Sequence, residues 1–165
     1  MPENFVQKYV IVSLIQPVVD GLVFDASEWP LHTTVAPRFT TVVGVDDLVK
    51  TLEKFAKEYA AFNVEIGDDA MFGDKNDLPV SLVVPTEVLE NLHTALITTL
   101  TASGAIFDEP SYIGDGYRPH ITVQKQARVR KRENIYLTSL SLIDMFPDGN
   151  PHNRKVLKTV SLNKY

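Results

Sequence analysis

Apolar and polar positions along this chain follow two periods. Tyr9-Val10-Ile11-Val12-Ser13-Leu14-Ile15 is a nearly unbroken apolar, β-branched run ended by Pro17, which predicts a strand buried on both faces and central in a sheet. Leu31 to Val35 alternates instead, and Pro37 should close it. Leu48, Val49, Leu52, Phe55, Ala56 and Tyr59 keep the spacing of one helical face, so a helix is predicted from about Asp46 to Ala60, with Asp46 and Asp47 at the positive end of its dipole. Phe62 to Ile66 predicts a strand that resumes at Ala70-Met71-Phe72 after a bulge around Gly67-Asp68-Asp69. Val80 to Val84 is a second buried strand, stopped by Pro85. Thr86 then caps a helix to about Ser103, with Val88, Leu89, Leu92, Ala95, Leu96 and Leu100 inward and Gly104 as its stop. Ala105 to Tyr117 reads as a loop, Pro119 to Val123 as another alternating strand. About Asn134 to Met145 and Lys155 to Leu162 read as two closing strands around the turn at 147–151.

The pattern repeats. Val12-Ser13-Leu14-Ile15-Gln16-Pro17 echoes Val80-Ser81-Leu82-Val83-Val84-Pro85, and each precedes an alternating strand that carries His-x-Thr. A buried strand, a His-x-Thr strand and one helix per half imply two related lobes within a single domain over residues 1–165.

The 165 residues, 44% hydrophobic and 22% charged, fit an ordinary globular domain. No apolar run approaches the length of a membrane span, and the start Met1-Pro2-Glu3-Asn4 lacks the features of a signal peptide, so a cytoplasmic protein without membrane contact, a monomer, is expected. With no Cys, thiolate nucleophiles and thiolate metal sites are excluded. The net charge of -5 argues against wrapping of long nucleic acid, and any anionic ligand must be met locally. Lys125, Arg128, Arg130, Lys131 and Arg132 supply one such locality.

Alternation sends His32 and Thr34 to one face of their strand, and His120 and Thr122 to one face of theirs. Two such strands side by side would present two imidazoles and two hydroxyls to a single phosphate. Chance gives an acceptable His-x-hydroxyl-apolar stretch at about one His in twenty, so two among four His is about a two-in-a-hundred event. The other two do not match: His93 reads as a packed helix residue and His152 as solvated.

His32-Thr33-Thr34-Val35 and His120-Ile121-Thr122-Val123, 88 positions apart and the second preceded by Arg118-Pro119, resemble the paired motifs of the 2H phosphoesterases, which include 2'-5' RNA ligases and cyclic phosphodiesterases. The resemblance implies an α+β fold: two pseudo-symmetric lobes of antiparallel sheet with outer helices around a central groove. It also implies a metal- and cofactor-independent phosphoesterase acting on a 2',3'-cyclic or 2'-5'-linked nucleotide or a short RNA end. His32 and His120 would be base and acid in an order the sequence leaves open, with Thr34 and Thr122 donating to the phosphoryl oxygens. Lys125 matches a position often basic in the family, although its parity is opposite to that of His120, so it reaches the site only if the strand bends or ends. Arg118 is a candidate phosphate contact, and Phe39, Tyr117 and Trp29 candidate stacking partners for a base. A non-catalytic nucleotide or RNA-binding module of the same fold, and a two-His metal site completed by a carboxylate, are the competing readings. Thr33 in place of an apolar residue, Ala36-Pro37-Arg38-Phe39 after the first motif, and the short, turn-rich stretch from Pro17 to Pro30 depart from the family pattern.

Overall fold

The computed structural model describes residues 6–164, so the Met1–Asn4 start lies outside it. Ten strands form one sheet. β1 (Tyr9–Leu14) has every residue buried, as its composition predicts, because β3 (His32–Thr40) lies on one side of it and β9 (Ser139–Asp144) on the other. Beyond β9 come β10 (Asn153–Ser161) and the short β2 (Val23–Asp25). On the far side of β3 the order continues through β7 (His120–Thr122), β5 (Leu78–Val83), β4 (Phe62–Phe72) and β8 (Asn134–Leu137). The two-residue β6 (Ile106–Phe107) pairs with the far end of β3.

The helices form where the periodicity places them. α1 (Val45–Ala56) ends a turn earlier than predicted, and α2 (Glu87–Ala102) starts at Thr86, whose hydroxyl accepts from Leu89 N at 3.2 Å. Leu48, Leu52 and Phe55 of α1 and Leu92, Leu96 and Leu100 of α2 share one core with Ile11, Val35, Phe39, Leu140 and Leu142. Leu89 reaches the core of the other half, beside Val64, Ile66, Ile121 and Leu137, whereas Val88, expected inward, is exposed one position round the helix from it. On the opposite face of the first half, Val10, Val12 and Leu14 pack on Ile143, Met145 and Val156. No helix among the described residues is long and apolar enough to cross a membrane.

Two expectations fail for physical reasons. Pro37 does not close its strand: the register shifts between Ile11↔Ala36 and Tyr9↔Phe39, and this bulge accommodates a residue with no N–H to donate. The run from Asn134 to Met145 is two strands at opposite places in the sheet, because the chain crosses at Thr138, whose carbonyl accepts from Leu162 N. The predicted bulge in β4 is present between Ile66 and Asp69, and it turns Asp68 and Asp69 toward Lys131 and Arg128, each pair at 2.6 Å.

The sequence echo is a structural one. Val12 pairs with Thr34 and Leu14 with His32; Val80 pairs with Thr122 and Leu82 with His120. The buried Ser13 and Ser81 fall opposite Thr33 and Ile121, which themselves pair across the seam between β3 and β7. An approximate twofold axis at that seam exchanges the two halves.

Candidate active site

β3 and β7 meet at the single pair Thr33↔Ile121, both fully buried. Residues on either side of that pair therefore point to the opposite face, and His32, Thr34, His120 and Thr122 come together, half-buried, in the groove. Their environments match. His32 Nδ1 donates to Pro30 O at 2.8 Å, and His120 Nδ1 donates to Arg118 O at 2.8 Å, in each case to the carbonyl two residues upstream. A carbonyl only accepts, so these bonds fix the proton on Nδ1 of the neutral ring and leave each Nε2 with a lone pair. Neither the Thr34 nor the Thr122 hydroxyl has a side-chain hydrogen bond to protein among the described residues.

Burial resists charging these rings. It pushes His32 down to about 4, against the partial help of Pro30 O, with His120 opposing a second positive charge. His120 is lowered too, by burial first and by the Arg118 guanidinium second, while Arg118 O works the other way. Both are thus neutral near pH 7, and His120 is the more readily protonated.

Aromatic rings wall the groove. Trp29 lies on His32 with centroids 4.7 Å apart and meets Phe24 edge-on at 5.1 Å. Phe72 touches His120 edge-on at 4.6 Å, and the Arg118 guanidinium lies 4.6 Å over the same ring. Phe72 escaped the sequence reading; the available signal was an aromatic at the end of β4 with the parity of Ala70, opposite the groove-side Leu78. A cleft of about 390 Å3 on the His32 side of the pair is lined by Ser27, Trp29, His32, Leu78, Thr122 and Lys125, among others. Lys125 reaches it because β7 ends at Thr122 and the chain reverses through a Gln124–Ala127 bridge, so strand parity no longer applies.

Two predicted contacts lie elsewhere. Phe39 is fully buried in the core behind the sheet, tilted against Tyr9 and Phe107, so the sequence-based placement of this ring on a substrate base is corrected. It lies on the other face of β3 from His32, because the strand pairing shifts twice between Thr34 and Phe39 and the two irregularities cancel. Tyr117 is a brace: its hydroxyl donates to Thr34 O at 2.7 Å and its ring stacks on His93 at 3.8 Å, 4° from parallel. Burial raises the phenol's pKa, and the Thr33 hydroxyl partly offsets this. His93 is the packed residue expected, buried, donating from Nδ1 to Val35 O at 2.6 Å and accepting from Gly114 N at 3.0 Å. Among the described residues no three His, Asp or Glu side chains converge as metal ligands.

Residues 17–142, which hold both His-x-Thr strands, match the family described as the 2'-5' RNA ligase superfamily. The chain belongs to that superfamily. Its members are 2H phosphoesterases, and the fold agrees. E. coli LigT bound to NADP+ superposes with a TM-score of 0.60 at 17% identity, over 96% of this chain and 99% of that one. A phosphoesterase superposes with a TM-score of 0.58 at 17% identity, over 97% and 100%. A protein from Thermus thermophilus gives 0.57 at 14% identity, over 95% and 98%. LigT structures also hold 3'-AMP, ATP and phosphate. No curated protein matches this superfamily member by sequence.

Proposed function

We propose that this protein is a metal-independent phosphoesterase that opens a 2',3'-cyclic phosphate or cleaves a 2'-5' linkage in a nucleotide or short RNA end. The observation that carries the reading is the matched pair of imidazoles, each with Nδ1 tied to the carbonyl two residues upstream and Nε2 left for a proton. Hydrolysis at phosphorus needs a base for the attacking water and an acid for the departing ribose oxygen. His32, held neutral by burial, takes the proton from water, and His120, which charges more readily, gives one to the leaving oxygen. The Thr34 and Thr122 hydroxyls, without protein partners among the described residues, donate to the non-bridging oxygens as negative charge builds there. The two histidines cover both proton transfers, so the reading routes no step through a metal. Nucleotides and phosphate bound by LigT support a nucleotide phosphate as the ligand.

The test is a panel of 2',3'-cyclic nucleotides, 2'-5' dinucleotides and cyclic-ended oligonucleotides, with products identified by mass and chelator present in a parallel series. Turnover of at least one class, indifferent to chelator, is expected. Tight nucleotide binding with no product under single-turnover conditions would instead make the protein a binding module of the same fold.

A further inference from the structure

The cleft on the His32 side of the pair continues past the histidines. It adjoins a second hollow of about 220 Å3 lined by Glu28, Trp29, Gln124, Lys125, Gln126 and Ala127. The two hollows share Trp29, Gln124 and Lys125. The reversal of the chain after β7 places Lys125 at their junction, where it is the only Lys or Arg among the residues lining either one.

Along the basic run three cations, Lys125, Arg130 and Arg132, have no ion pair among the described residues, and of these only Lys125 lines a hollow. Arg128 is held by Asp69, and Lys131 by Asp68, both on the bulge of β4. Lys125 forms no ion pair or side-chain hydrogen bond among the described residues. Lys125 is felt by the Asp25 carboxylate, whose Oδ1 accepts from Ser27 N and Ser27 Oγ at 2.8 and 2.6 Å. An ammonium exposed at the join of two hollows, with no ion pair of its own among the described residues, is open to an anion. Gln124 and Gln126 add amide donors, and Glu28, an acceptor when ionised, suits ribose hydroxyls rather than phosphate.

We propose that the second hollow is a subsite for the next nucleotide unit of the substrate, in which Lys125 meets a second phosphate one nucleotide removed from the reacting one. This rests on the reading of the histidine pair as a phosphoesterase site. It narrows the substrate class to RNA ends and phosphorylated dinucleotides in preference to a lone nucleoside cyclic phosphate.

Calorimetric titration tests it with four probes: adenosine 2'- and 3'-monophosphate and their 5'-phosphorylated counterparts. The intact protein should bind at least one bisphosphate about tenfold more tightly than its monophosphate. That ratio should shrink as salt is raised and approach one in Lys125→Gln. Lys131→Gln, which removes an equal charge from the same run but outside the hollow, should leave it unchanged. Equal affinities in the intact protein overturn the proposal, and so does a ratio that survives Lys125→Gln or falls equally in Lys131→Gln. The hydrolytic reading fails separately: a bisphosphate preference lost in Lys125→Gln, with no cyclic or 2'-5' substrate turned over, keeps the subsite and removes the reaction.

Discussion

A neutral imidazole carries one donor and one acceptor, and in this groove the donor of each histidine is already engaged by a carbonyl. What remains is a pair of lone pairs in a site that resists protonation, and the pH dependence follows. The base must start unprotonated, so kcat/KM rises through the His32 value of about 4; the acid must start protonated, so it falls as pH passes the His120 value, which lies below the ordinary 6.5. An optimum between those limits is expected for kcat/KM, with that of kcat displaced upward because a bound phosphate anion favours the imidazolium. Rates collected from pH 4 to 9 check this, and a kcat/KM optimum above pH 7 would count against it. Thr34→Val and Thr122→Val, which keep shape and remove one donor each, should lower kcat by about a hundredfold to a thousandfold. Their thermal midpoints should stay within a degree or two, since no hydrogen bond to protein is lost. At this scale strand parity made all four groove residues legible in the sequence. It also gives the right face for Phe39, because the two register shifts before that ring cancel, and Lys125 reaches the cleft through the exception stated for it, the end of the strand.

Among the elements, β3 has the most to hold. It contacts β7 through one residue pair, and the carbonyls of Thr34 and Val35 are gripped by Tyr117 and His93. The Tyr117–His93 stack thus ties α2 and the loop before β7 to the strand that carries the first motif. Tyr117→Phe removes one donor to that strand and should cost about 1 kcal/mol in denaturant unfolding. No change in unfolding midpoint would mean the brace carries no load. The two helices, β1 and the β4 bulge were readable from period and turn residues alone. The crossing at Thr138 was not: Ile135 and Leu137 serve one core, Leu140 and Leu142 another, and the one-position slip of the alternation at Thr138-Ser139 marks a break without revealing which sheet partner each half will find. The strand through Pro37 was missed for a related reason, since a bulge depends on its neighbour's register.

The whole molecule is two copies of one idea joined back to back, with the register of Val12-Ser13-Leu14 on the first motif repeated by Val80-Ser81-Leu82 on the second. Three histidines have a lowered pKa: the symmetric pair His32 and His120 in the groove, and His93 of α2, bonded to β3 through Val35 O. The unfolded chain takes up protons near pH 6.5, while the folded one holds them off until lower pH, about 4 for His32. Stability is therefore lost as pH falls below about 6.5 and levels off once the folded values are passed. The His32 part alone is on the order of 3 kcal/mol. Thermal melts from pH 7.5 to 4 should show the decline, blunted by added phosphate, which stabilises the charged rings; a flat profile would contradict the burial assigned to them. The flanks break the symmetry, with Trp29 and Lys125 on one side and Phe72 and Arg118 on the other.

The central claim is that two histidines divide the proton transfers. It is tested most directly by the turnover of a 2',3'-cyclic nucleotide or 2'-5' dinucleotide by His32→Ala and His120→Ala, each verified as folded. Each substitution should lower kcat by about a hundredfold to ten-thousandfold, one acid–base role apiece. Near wild-type turnover in either variant on every substrate tested would contradict the account.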